Sequence, residues 1–405
     1  MERYNEYKDS GVQWLGEIPS HWDMQRWRFL LTENKVKNTD CKEKVQLQFK
    51  YGDIVRKANQ DEDADVLETI SKYTVVAPDD IMINGLNLNY DFISQRVAQV
   101  RENGVITSAY ISLRPTSLAC SRYYTYFLKS MDFKKMFHGM GTGIRLTLSY
   151  NELKNQFIPF PVIKEQQAIA TYIDKATAKI DETIAQQQKM IDLLNERKQI
   201  IINNAVTKGL NPDAPMKDSG VDWIGEIPEH WEVRKLKHIA KLKSGDTISS
   251  DSFTEDGFPV YGGNGFRGYT NRFTNDGEYV LIGRQGALCG NVNYATGKFF
   301  ASEHAVVVYP YDHENVAWLG EVIRASNLNQ YSQSAAQPGL AVSVIENIAY
   351  PYPPEKERTA IAEYLAQQMN AINAALHNIE RQISLLQERK QIIINDVVTG
   401  KVKVL

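Results

Sequence analysis

Between Glu355 and Val398, apolar side chains recur alternately four and three positions apart at Leu365, Met369, Ile372, Leu376, Ile379, Ile383, Leu386, Ile393 and Val397, with Lys390 interrupting the stripe. This is the spacing of a coiled-coil seam on a long helix. The stretch Glu165 to Ala205 has the equivalent positions Ile173, Thr177, Ile180, Ile184, Gln187, Ile191, Leu194, Lys198, Ile201 and Ala205, and contains neither proline nor glycine. Prolines at 159, 161, 351, 353 and 354 precede the two stretches, and Gly209 and Gly400 follow them, as expected for helix starts and stops. Two helices of about 40 residues are predicted, each roughly 60 Å long at 1.5 Å per residue. The nearest partner for each stripe is the other, run antiparallel; the alternative is a seam that pairs with a second chain. Lys198 and Lys390 on the stripe either set register against a partner group or snorkel to solvent.

Elsewhere the pattern favours short strands rich in Val, Ile, Tyr and Phe. Residues 45–49, 74–76, 81–83, 92–100 and 105–113 read as strands, followed by an amphipathic helix over 121–137. Later, 279–282, 292–294, 299–301 and 305–309 read as strands, and 315–326 as the matching helix. Each helix leads into a polar or glycine-rich turn, 139–143 in one case and 333–339 in the other.

These elements belong to an internal repeat. Lys8 to Trp22 reappears as Lys217 to Trp231 with twelve of fifteen positions identical, and Glu196-Arg197-Lys198-Gln199-Ile200-Ile201-Ile202-Asn203 recurs unchanged at Glu388 to Asn395. The interiors, 23–158 and 232–350, share little. The chain therefore divides into a box at 1–22, a variable domain at 23–158, a spacer helix at 159–208, a linker and second box at 209–231, a second variable domain at 232–350, and a second helix with its tail at 351–405. A frame that is kept while its interior is replaced suggests one scaffold presenting two different recognition surfaces.

Composition narrows the function. The 405 residues are 43% hydrophobic and 23% charged, with no apolar run near the roughly 18 residues of a membrane span. The start of the chain lacks the apolar core of a secretory signal, so a cytoplasmic location is expected. Three scattered cysteines, Cys41, Cys120 and Cys289, fit neither a disulfide framework nor a structural zinc site. Net charge is -3, which by itself argues against nucleic acid, but 23–158 carries +3 and 232–350 carries -2. Enzyme motifs fail on context. Gly263-Asn264-Gly265-Phe266-Arg267-Gly268 matches a dinucleotide fingerprint but runs into Tyr269-Thr270-Asn271 rather than a helix, so it reads as a tight β-turn. No phosphate-binding GxxxxGK[ST] loop is present, His304 reads as an isolated core residue, and no catalytic residue or metal ligand set is assigned.

What remains is binding, in which Arg, Asn and Gln read base edges. The candidates are Asn84, Asn87, Asn89, Arg96, Arg101 and Arg145 in the first variable domain, and Tyr261, Asn264, Arg267, Arg272, Arg284, Gln285, Asn291 and Asn293 in the second. For each of them, solvation or turn capping is the alternative.

The paired Asp-Ser-Gly-Val-x-Trp-(Leu/Ile)-Gly-Glu-Ile-Pro-x-His-Trp boxes, the Glu-x-x-x-Ile-Ala-x-Tyr helix starts and the Glu-Arg-Lys-Gln-Ile-Ile-Ile-Asn helix ends resemble the specificity subunit of type I restriction-modification systems over essentially the whole chain. The resemblance implies an α+β chain: two β-rich target recognition domains separated by two long antiparallel helices that form a coiled-coil spacer, with a pseudo-two-fold internal repeat. It also implies that each domain reads one half of a bipartite site in double-stranded DNA, and that the chain has no catalysis and no cofactor of its own. Its partners would be two modification subunits using S-adenosylmethionine and two restriction subunits using ATP and Mg. Trp14, Trp22, Trp223 and Trp231 are candidate docking anchors for those partners; packing onto the chain's own helices is the alternative. The rival from another class is a coiled-coil scaffold that joins two protein ligands and has no DNA role.

Overall fold

The structure, a computed structural model, describes residues 2–58, 64–90, 95–286, 289–311, 316–332 and 339–404. The chain forms two compact units, one of residues 1–187 with 381–405 and the other of 188–380. Each unit therefore contains one variable domain and a half of each long helix.

In the first unit the core is a four-stranded antiparallel sheet in the order Leu31–Glu33, Ile111–Pro115, Ile81–Ile83, Val97–Gln99. Helix Ser121–Phe133 packs on it through Tyr123, Tyr124, Phe127 and Leu128, all fully buried. The hairpin Leu47–Lys50 with Asp53–Arg56, and the pair Thr74–Val76 with Gly104–Ile106, form a smaller cluster beside it. Strands Asp23–Arg26 and Phe157–Phe160 pair to bring the two ends of the domain together.

The second unit repeats this frame with an unrelated sequence. Its sheet runs Ala240–Ser244, Ala305–Pro310, Tyr279–Gly283, Val292–Ala295. Helix Val316–Ala325 covers it, and Glu232–Lys235 pairs with Ala349–Tyr352 at the base. A second four-stranded sheet runs in the order Gly265–Thr270, Phe258–Gly262, Lys298–Ala301, Asn275–Asp276, and its central parallel pairing corresponds to the parallel bridge Gln46–Val105 that joins the hairpin and the strand pair of the first unit. What the two interiors share is strand order and hydrophobic pattern rather than residues.

The long helices are Ile163–Lys208 and Glu355–Val398. Every position of the stripe read from the sequence is buried or half-buried in both. In the first unit Asp181 meets Lys390 at 2.6 Å and Gln187 meets Gln382 at 2.8 Å, so the two half-helices run antiparallel. In the second unit Lys198 donates to Asn373 Oδ1 at 3.1 Å, while Ile202 and Val206 share a core with Ile361 and Leu365. The stripe lysines thus meet polar groups of the facing helix, a carboxylate in one copy and a neutral amide in the other.

Several element boundaries differ from the sequence reading. The strand expected over 105–113 breaks at Thr107–Tyr110, where the Ala109 N–H donates to Thr107 Oγ1 and the Ser108 hydroxyl to the Lys72 carbonyl, so side chains compete with the ladder. The helix expected to reach 137 stops at Phe133, because Lys135 takes a left-handed φ of 58° before a short 3-10 turn at Met136–Gly139. Of the strand expected over 92–100, Val97–Gln99 is formed; residues 92–94, Asn315 and 333–338 lie outside the described residues. Among the described residues no helix is long and apolar enough to cross a membrane.

Candidate nucleic-acid interface

In an antiparallel sheet, alternate strands start and stop at the same edge, so the loops there form one surface. In the second unit that edge holds Ser244, Gly283, Asn291 and the turn before Ala305. The fingerprint-like glycines form a hairpin: Gly262 pairs with Gly265, leaving Gly263–Asn264 as a two-residue turn, as the sequence reading expected. The turn lies against the strand end so closely that a Cβ on Gly283 would fall 2.2 Å from the Gly263 carbonyl oxygen. Only glycine fits there.

Around this contact the candidates gather. Asn291 Nδ2 donates to Asn264 Oδ1 at 3.2 Å, Arg284 Nη1 donates to Ser244 Oγ at 2.9 Å, and Gln285 Oε1 lies 2.7 Å from His304 Nδ1. Arg284 Nε and Asn293 Nδ2 are buried without a hydrogen-bond partner among the described residues. Asn264, Gln285 and Asn291 are exposed. His304, read from sequence as an isolated core residue, belongs to this edge, and so does Ser244; strand pairing brings both in and leaves no linear signal. Tyr261, Arg267 and Arg272 make ring contacts instead, and the Arg267 side chain also passes against Gly262 beside the turn. The Tyr261 ring packs 5.7 Å from that of Phe299, and the two guanidinium groups stack over Phe253 and Phe300.

The corresponding edge of the first unit holds Asn84 and Arg96. Both serve the fold. Asn84 Oδ1 accepts from the Leu86 N–H, and Arg96, 9% exposed, donates to the carbonyls of Asn84, Leu86 and Asn87. Arg96 thereby staples a loop on which Asn87 and Asn89 are exposed, with Asn87 in the left-handed region at φ 50°. A second loop, bearing Arg145, is tied to the first by Leu88 N–H to the Leu146 carbonyl at 3.0 Å and Leu148 N–H to the Gly85 carbonyl at 2.8 Å. The second unit repeats that tie, with Leu340 N–H donating to the Arg284 carbonyl at 2.9 Å. Asn87, Asn89 and Arg145 are therefore presented together.

Arg101 is not brought to this edge. It follows the other end of its strand, 3.3 Å from Asp53, and lines a cavity of about 410 Å³ with Arg122, Thr125 and Lys129. Burial holds the Lys129 ammonium below its ordinary pKa, with smaller opposing effects from Asp53 and Asp132.

The repeated boxes clasp helix ends. In the first unit His21 Nε2 lies 3.1 Å from Glu165 Oε2, at the start of the first long helix, while Trp22 lies beneath Gly400, just past the end of the second. In the second unit His230 Nε2 lies 2.6 Å from Glu357 Oε1 and Trp231 beneath Gly209. Both glycines have φ near 75°, the left-handed cap that ends a helix. Trp22 and Trp231 are 0% exposed, so neither offers a surface to a partner. Trp14 is half-buried against Phe127 under Lys134, and Trp223 donates to the Ala349 carbonyl at 3.1 Å. The Tyr4 hydroxyl donates to Glu165 Oε1 at 2.7 Å; burial and that carboxylate push the phenol well above its usual pKa and keep it a neutral donor.

The helices themselves carry the apolar surface that sequence inspection passed over. Leu193 and Ile200 are 50% and 52% exposed, and their repeat counterparts Leu385 and Ile392 are 55% and 51% exposed. Each pair brackets an exposed arginine, Arg197 or Arg389, on one helix face.

A family model described as the type I restriction modification DNA specificity domain matches residues 37–192 and 228–385. The EcoprrI type I restriction enzyme specificity subunit of Escherichia coli is 38% identical over 153 residues, 36% of this chain and 38% of that one. The chain thus spans a little over a third of that relative. A putative type I restriction enzyme MjaX specificity subunit of Methanocaldococcus jannaschii is 24% identical over 420 residues, 96% of each chain. A chain in a solved type I R-M system structure superposes with a TM-score of 0.70 at 14% identity, over 95% of this chain and 99% of that one, which shows the fold.

Proposed function

The chain belongs to the type I restriction modification DNA specificity family, and from that premise we propose that it is the sequence-reading subunit of a cytoplasmic restriction-modification complex, each variable domain reading one half of a bipartite site. One observation carries this reading: the two domains share sheet order and loop ties but present different polar side chains at the same edge. A common frame fixes where the reading groups stand, and the unlike groups read unlike half-sites.

In this reading the chain performs no chemistry itself. Methyl transfer from S-adenosylmethionine, and ATP- and Mg-dependent cleavage, belong to modification and restriction subunits, two of each. The support for two equivalent modification subunits is the patch presented twice, Leu193-Arg197-Ile200 and Leu385-Arg389-Ile392. Ile200→Asp with Ile392→Asp should abolish co-purification of the modification subunit while leaving the melting temperature of the isolated chain unchanged, because both side chains are half in water already.

The test of the reading function is a gel shift on defined DNA across a salt series, with and without modification subunits. With -3 net charge, the isolated chain should bind weakly, and the assembled complex should bind tightly and selectively. An assembled complex that binds all sequences equally would refute it.

A further inference from the structure

Ile144 is 99% exposed. Single exposed apolar residues are ordinary on a surface, so what matters is how this one is held. The Leu146 N–H donates to the Gly143 carbonyl at 3.1 Å, and Thr142 and Thr147 exchange backbone hydrogen bonds of 3.0 and 2.9 Å. The returning segment is bonded to the neighbouring loop at Leu88 and Gly85. Five backbone hydrogen bonds therefore hold out a branched apolar side chain that is left almost wholly in solvent among the described residues. Arg145 follows it directly, and the loop to which it is bonded carries the exposed Asn87 and Asn89, residue types suited to phosphates and base edges.

We infer that Ile144 is an apolar wedge, which enters a groove of the duplex against one base step and partly unstacks it while Arg145 holds the adjoining backbone. This inference rests on the reading function proposed above. An apolar wedge selects by contact and by the deformability of the step it opens, so it reads sequence without a hydrogen bond. That is information the amides beside it do not supply.

The test uses the complex assembled with its modification subunits and S-adenosylmethionine, acting on the site methylated by the wild type and on every single-base variant of it. Ile144→Ala should slow methylation of the cognate site about tenfold, because the buried apolar contact that offsets unstacking is lost, and relax selectivity at one or two adjacent positions of a single half-site. The salt dependence of binding should not change, because no charge is removed, and Ile144→Leu should restore most of the rate. With its side chain fully in water, the alanine variant should melt with the wild type. A variant within about twofold of wild type at every position, or one that slows all sequences equally, would overturn the wedge. A wild-type complex that shows no sequence selectivity would instead overturn the reading function, and the wedge with it.

Discussion

Trp22 and Trp231 occupy the same place in the repeat and are equally buried, yet their indole N–H groups have different fates. Trp231 Nε1 donates to Glu357 Oε2 at 2.9 Å, whereas Trp22 Nε1 is buried without a hydrogen-bond partner among the described residues. Tyr4 is the reason. Its hydroxyl and His21 occupy the Glu165 carboxylate, and the position that matches Tyr4 in the second copy is Asp213, which brings no phenol. Truncation to phenylalanine costs the same packing in both units, about 1–3 kcal/mol. In the second unit it also deprives a carboxylate of a donor, worth about 1.5–3 kcal/mol when enclosed. The Glu357 side chain is 41% exposed and water replaces part of that bond, leaving about 1 kcal/mol. A double-mutant cycle isolates the term. Urea unfolding of Trp231→Phe, Glu357→Ala and their combination should give a coupling near 1 kcal/mol. The cycle of Trp22→Phe with Glu165→Ala should give less than about 0.5 kcal/mol. Equal couplings in the two units would refute the assignment of different partners to identical boxes.

Two further outcomes follow from the helices and the buried lysine. Deleting the facing heptads 184–190 and 381–387 preserves the seam and shortens each helix by about 10 Å; the gap between half-sites should then shrink by about three base pairs, and an unchanged gap in the methylated motif would rule out the helices as its measure. Lys129 has a depressed folded pKa, so its buried charge weakens the fold at neutral pH, and that penalty fades as pH rises through the folded value toward the unfolded value near 10.4. Lys129→Met should therefore raise the urea midpoint at pH 7 by more than at pH 10, and a lower midpoint at pH 7 would show that the ammonium has an attractive partner.

The scaffold was legible because periodicity survives duplication. The four-three stripe located both long helices, and the inward face is the predicted one down to its interrupting lysines. The boxes were legible as repeats but not in their role: an indole can anchor a partner or fill a core, and only the glycine caps above Trp22 and Trp231 decide between them. The candidate edge was half legible. Amides and arginines on glycine-rich turns pointed to loops that the fold gathers at one edge of each sheet, yet Arg96 faces three carbonyls of its own loop and Arg101 stands at the opposite end of its strand. Ser244, His304 and Ile144 had no sequence signal, since strand order places the first two and solvent exposure defines the third.

The central claim is that two unlike edges on one repeated frame read two separate half-sites. Mapping methylated adenines in a host that carries the complete system tests it directly, with the wild-type chain and with Asn87→Ala and Asn89→Ala combined. A bipartite motif in which the variant alters one half and leaves the other intact is expected. A continuous motif, or a variant that changes both halves together, would contradict it.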